Sequence, residues 1–196
     1  MGRSAGEEAY NGATHQAGLA AVVAHAAGLP RVDAKGAVVA AFCFGATMAI
    51  GALARCPDLP VRLFIDWEGP ADRNDVLAGK EVLGWKLPRA SDAAPWWDGR
   101  EAVRLIQGVR APYLRVEGRP NHLRVGPEGC LALVDRAVNR PQVFGVDPWT
   151  RVNGNRVNRR WTEADQPRWL PRLPAETAIL PYLAELAPPS PTLSSS

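Results

Sequence analysis

Cysteine is scarce in this sequence, with 3 residues in 196, and the three show no pairing pattern. Cys43, Cys56 and Cys130 form no CxxC and stand near no pair of histidines at metal-ligand spacing. An odd, sparse set of this kind excludes a disulfide framework and a structural zinc site. Histidine is equally rare, so chemistry that needs an imidazole has three candidates, His15, His25 and His122. No run approaches the ~18 uninterrupted apolar residues of a membrane span. Met1 opens no charged-then-apolar signal peptide, and a reducing cytoplasm is the expected compartment. A net charge of +3 is too weak to imply a nucleic-acid partner. A Walker phosphate loop and internal repeats are also missing.

What remains is an ordinary globular composition. Hydrophobic residues make up 46% and charged residues 22%, enough for a real core in one domain. That domain is expected over 1–187. The Pro- and Ser-rich tail "PPSPTLSSS", residues 188–196, reads as disordered low-complexity sequence. Residues 1–12 read as loop. Leu19, Val22, Val23 and Ala26 recur at helical spacing from Ala13 to Ala27, and Gly28-Leu29-Pro30 ends that helix. Residues 37–42 are apolar without polar alternation, as in a strand buried on both faces. A helix of small residues is expected over 46–55 and a strand over 61–66. A long irregular stretch then runs from Trp67 to about Gly99.

Helix-like "GREAVRLIQGV" follows, then a strand over 112–116, a helix in "PEGCLALVDRAV" and a last strand in "PQVFGV". Residues 147–175 are loop-rich, and "ETAILPYLAEL" reads as a closing helix kinked at Pro181. Strands alternating with helices predict an α/β fold, a parallel sheet with helices on both faces. In such sheets functional groups gather beyond the carboxyl ends of the strands. Cys43, Asp66, His122 and Asp147 all fall there.

The stretch "AFCFGATMAIGALA" sets Cys43 two residues from Ala41 and two from Gly45, where a strand turns into a helix. A strained strand-turn-helix elbow projects its central side chain above the sheet and needs small neighbours. The N-terminus of the following helix favours negative charge, so the elbow is expected to lower the thiol pKa of Cys43. The Phe44 N–H would supply half of an oxyanion hole.

On these residues the sequence resembles the α/β-hydrolase superfamily, in particular its dienelactone-hydrolase-like and S15-peptidase-like esterases. "RCPDLPVRLFIDWEGPADR" is similar to the strand after the elbow and its exit loop. "APYLRVEGRPNH" is similar to the next strand, and "GRSAGEEAYNG" to the loop before the helix that precedes the elbow. The resemblance runs from Gly2 to about Leu186. It implies hydrolysis of an ester, lactone or related acyl bond in a small-molecule substrate. A cysteine nucleophile matches the dienelactone-hydrolase variant, and no metal or organic cofactor is implied.

Three departures alter the expected site. Ala41 replaces the first glycine of the elbow, Asn121 stands at the acid position, and Asp147 stands where the base histidine belongs. His122 could serve as base toward Cys43, with Asp66 or Asp147 orienting the imidazole, because triads are recognised by role and not by chain order. A catalytically degenerate binding or interaction protein is the alternative. The resemblance also implies strands ahead of the elbow strand, so the domain reads as N-terminally incomplete. Its elbow strand would form an open edge for a second copy or a partner chain.

Trp67 and Glu68 are candidate pocket residues, alongside Trp85, Trp96 and Trp97. As a loop carboxylate, Glu68 is expected to be solvated. His15, His25, Cys56 and Cys130 read as surface or packing residues. The cluster Arg151, Arg156, Arg159 and Arg160 has no groove-reading helix or interleaved aromatics, so no nucleic-acid role is expected.

Overall fold

The computed structural model describes residues 8–30, 32–33, 37–84, 86–118, 123, 125, 128–139, 142–146 and 151–152. For 142–146 and 151–152 it describes the backbone alone. Helix α1 (Ala13–Ala27) leads to strand β1 (Ala37–Phe42), helix α2 (Gly45–Arg55) and strand β2 (Val61–Trp67). Helix α3 (Arg73–Leu83) and the short helices α4 (Ala94–Trp97) and α5 (Ala102–Leu105) precede strand β3 (Tyr113–Gly118). Helix α6 (Glu128–Arg136) and strands β4 (Gln142–Val146) and β5 (Arg151–Val152) complete the order.

The five strands form one sheet in the order β1-β2-β3-β4-β5. The first three pairings are parallel and the last is antiparallel. Parallel neighbours need helical crossovers, which is how this chain alternates. One face of β1, β2 and β3 carries Val39, Ala41, Phe64 and Tyr113 against Ala49, Ile50 and Leu53 of α2, Ile106, and Leu133 of α6. Small residues along α2 let it lie close to the sheet, where Ala46 and Ile50 are fully buried. Among the described residues β1 is an edge strand. Its outward-facing Val38 and Phe42 are 44% and 60% exposed. No helix of the described residues is long and apolar enough to cross a membrane.

Three expectations are corrected. Strand β1 is not buried on both faces, because Val38, Ala40 and Phe42 along one side are exposed. The stretch after Trp67 is not wholly irregular, because α3 fills its middle. The Asp72 side chain caps that helix by accepting from the Asn74 and Asp75 N–H groups, and Gly84 closes it at φ 68°. Conversely, the helix expected over 99–109 shrinks to α5 and one 3-10 turn, Ile106–Gly108. The closing helix around Pro181, the tail, and Arg156, Arg159 and Arg160 lie outside the described residues.

Candidate active site

The carboxyl ends of β1 and β2 build the site. Beyond Phe42 the chain reverses at Cys43, which holds φ 51°. A residue with a Cβ pays roughly 1–2 kcal/mol for this left-handed conformation. The turn is tied on both sides. The Cys43 N–H donates to the Trp67 carbonyl at 2.9 Å, and the Cys43 carbonyl accepts from Ala46 N–H at 2.9 Å. Phe44 is the N-cap of α2, and its carbonyl accepts from the Thr47 N–H and hydroxyl. The Asn11 side-chain amide adds a further bond to it at 2.6 Å. A loop far away in sequence therefore grips the residue next to the thiol.

Cys43 lies in a cleft of about 410 Å³ with Tyr10, Phe42, Phe44, Gly45, Lys86 and Leu87. Tyr10 and Asn11 hold φ 44° and 61°. Their loop is clamped by Arg100, which donates to the Ala9 and Tyr10 carbonyls and stands 4.2 Å from the centre of the Trp96 ring. The Tyr10 N–H is engaged by a Glu8 carboxylate oxygen at 2.9 Å.

The thiol differs from the sequence expectation. Its pKa is raised: burial acts most strongly, the Phe44 N–H pulls the other way, and the Glu68 carboxylate pushes it up again. The helix N-terminus alone would favour thiolate, yet at neutral pH Cys43 rests as a thiol. Glu68 is itself corrected. It is no solvated loop carboxylate but only 8% exposed, at φ 50° in the turn after β2.

Asp66 stands at the end of β2, as read, and is wholly buried. Its Oδ2 accepts from the Tyr113 hydroxyl at 2.7 Å and from Arg115 Nη1 at 2.8 Å. Its Oδ1 accepts from the Gly69 N–H at 2.9 Å. Arg115 also pairs with Glu117 through Nε at 2.8 Å and Nη2 at 2.7 Å. Burial opposes the Arg115 charge, but Asp66 and Glu117 more than offset it and raise its pKa.

His122, Asp147, Asn121 and Trp85 lie outside the described residues. Trp67 stacks on Phe42 with ring centroids 5.3 Å apart. Trp97 is buried, and its indole N–H donates to the Ser91 carbonyl, the mark of a small satellite core. Sequence reasoning missed Tyr10, Lys86 and Leu87 as cleft residues and Arg115 as the partner of Asp66. The Arg115 signal was available, since Tyr113, Arg115 and Glu117 alternate along an otherwise apolar strand.

No protein-family model and no curated protein sequence matches the chain. Solved structures do. The 2,6-dihydroxy-pseudo-oxynicotine hydrolase superposes with a TM-score of 0.54 at 12% identity, over 69% of this chain and 40% of that one. Acetyl xylan esterase 1 from Thermoanaerobacterium sp. JW/SL YS485 gives 0.54 at 12% identity, over 87% of this chain and 51% of that one. The chain has a partial α/β-hydrolase fold. It spans about half or less of the length of these hydrolase-fold structures. At this identity the likeness concerns the fold alone.

Proposed function

We propose that the protein hydrolyses an ester, lactone or related acyl bond in a small-molecule substrate, with Cys43 as nucleophile. The observation that carries this reading is a non-glycine residue held at φ 51° at the head of a buried helix, its side chain in a cleft. Strain of this kind persists where the surroundings enforce it, and it clusters at reactive groups. Two solved structures of the same fold are named as a hydrolase and an esterase, which supports the reaction class.

Because the thiol rests protonated, the reaction needs a base, and His122 fills that role in this reading. His122 takes the thiol proton as sulfur bonds to the carbonyl carbon, and the Phe44 N–H donates to the resulting oxyanion. Collapse expels the alcohol oxygen, which receives that proton and leaves a thioester on Cys43. A water molecule gives a proton to His122, attacks the thioester and releases the acid and the thiol. Of the two carboxylates considered for orienting the imidazole, Asp147 suits the role better than Asp66, whose oxygens serve Tyr113, Arg115 and Gly69.

Steady-state hydrolysis of a panel of aryl esters and lactones tests the assignment. Cys43→Ala is expected to abolish turnover, and His122→Ala to lower kcat by about 10²–10⁴-fold, the usual contribution of general acid–base catalysis. Turnover that survives Cys43→Ala would remove the cysteine from the mechanism.

A further inference from the structure

We propose that Asp66 and Arg115 are positioning residues for Cys43, acting through the turn from Asp66 to Gly69. This pair holds both peptide groups of Gly69. Asp66 Oδ1 accepts from the Gly69 N–H at 2.9 Å, and Arg115 Nη1 reaches the Gly69 carbonyl at 2.7 Å while bonding Asp66 Oδ2 at 2.8 Å. The two residues are register partners on adjacent strands, and Arg115 is only 2% exposed.

The turn they hold is the surface on which the elbow rests. A Cβ on Gly69 would overlap the Ala46 Cβ, approach Asp66 Oδ1 to 2.6 Å and stand 3.3 Å from the Cys43 carbonyl oxygen. Only glycine lets the turn lie this close to the start of α2. One residue earlier, the Glu68 N–H donates to the Val116 carbonyl; one residue earlier still, the Trp67 carbonyl accepts the Cys43 N–H. Glu68 sits between these anchors at φ 50°, nearly buried, and its carboxylate acts on the thiol. The clamp thus fixes the backbone that shapes the elbow and the residue whose charge acts on the thiol.

A buried ion pair is a poor device for stability alone, because apolar residues of similar volume often serve as well. It does fix geometry. Arg115 forks to Asp66, Gly69 and Glu117 at once, which a lysine cannot do. Among the described residues the other titratable groups facing this pair are Tyr113, Glu117, Cys130 and Asp75, and Tyr10 and Lys86 share the cleft with Cys43. The inference rests on Cys43 as the reactive group, but its test reads the thiol directly, so loss of the esterase reading leaves this one standing or falling by itself.

The experiment is the pH profile of iodoacetamide alkylation at Cys43, followed by peptide mass spectrometry in a Cys56→Ser background. Thermal melting is measured in parallel on Asp66→Asn, Arg115→Lys, Tyr113→Phe, Glu68→Gln and Glu68→Gln/Asp66→Asn. Loosening the clamp lets Glu68 and water move, so the midpoint for Asp66→Asn is expected to fall by about one pH unit. Glu68→Gln should lower the midpoint in the native protein and much less in the Asp66→Asn background, a non-additivity that reports coupling. Arg115→Lys should lie between, and Tyr113→Phe, which keeps the bridge to Gly69, should move least. If the variants melt earlier while the Cys43 midpoint stays fixed and the Glu68→Gln effect is additive, the pair is structural only and the proposal fails. Should Asp66→Asn not fold, Arg115→Lys with and without Glu68→Gln makes the same comparison.

Discussion

Cys43 combines a strained backbone with a half-buried thiol, and the two have separable consequences. Cys43→Gly removes the left-handed penalty of roughly 1–2 kcal/mol but adds about 0.5–1 kcal/mol of chain entropy. It should therefore melt no lower than the native protein in calorimetry while losing all reactivity in the cleft. A lower melting temperature would show that the elbow is not strained. Burial and Glu68 raise the thiol pKa, so alkylation of Cys43 should accelerate only above about pH 8.5, the free-thiol value. Glu68→Gln should move that rise to lower pH; no movement would remove Glu68 from the site. The elbow itself was legible, because Ala41 and Gly45 flank Cys43 after an apolar run. The sign of the thiol's pKa was not. It depends first on how far the folded cleft buries the sulfur and only then on Glu68, which is buried in the turn after β2 although an acidic residue beside Gly69-Pro70 reads locally as a solvated loop.

At the scale of single elements, chain order and turn chemistry decided what could be read. Helix α1 and strand β1 occupy the residues expected from their apolar spacing, since small and aliphatic side chains there leave little competition between periods. Helix α3 was hidden by its low apolar content, although Asp72 at its start and Gly84 at its end are ordinary boundary signals. Asp72→Ala should cost about 1 kcal/mol in denaturant unfolding and leave Cys43 alkylation unchanged. An equal slowing of alkylation would tie α3 to the site. Ile50, fully buried on α2 in the core under the sheet, is a harsher test. Ile50→Ala should cost about 2–5 kcal/mol through lost burial and the cavity left behind. The helix expected across 99–109 is cut at its start by Gly99 at φ 76° and ends in a 3-10 turn, and α5 and that turn both pack against α2 and α6.

For the whole molecule, the buried titratable groups set the alkaline limit. Tyr113 is pushed up by burial and by Asp66, and Cys130 by burial. Each binds its proton more tightly folded than unfolded. Their contribution to stability is thus complete below the unfolded values, about 8.5 for a thiol and 10 for a tyrosine, and is lost as pH rises beyond them. Melting temperature should be flat between about pH 6 and 8 and fall above about pH 9, with Cys130→Ala flattening the first part of that fall. An edge strand with Val38 and Phe42 exposed should also make the protein prone to association. Val38→Lys is expected to raise its solubility limit, as measured by light scattering. The parallel sheet followed from alternating elements, but the partner of Asp66 did not, because Arg115 lies 49 residues further along and meets it only through strand register. The claim that Cys43 is an acyl-transfer nucleophile is met most directly by intact-mass spectrometry during a single turnover of an activated aryl ester, with Cys56→Ser as background. The account predicts one acyl group, mapped to Cys43, that forms and then decays with release of the acid. An adduct that maps elsewhere, or hydrolysis that continues unchanged in Cys43→Ala, would contradict it.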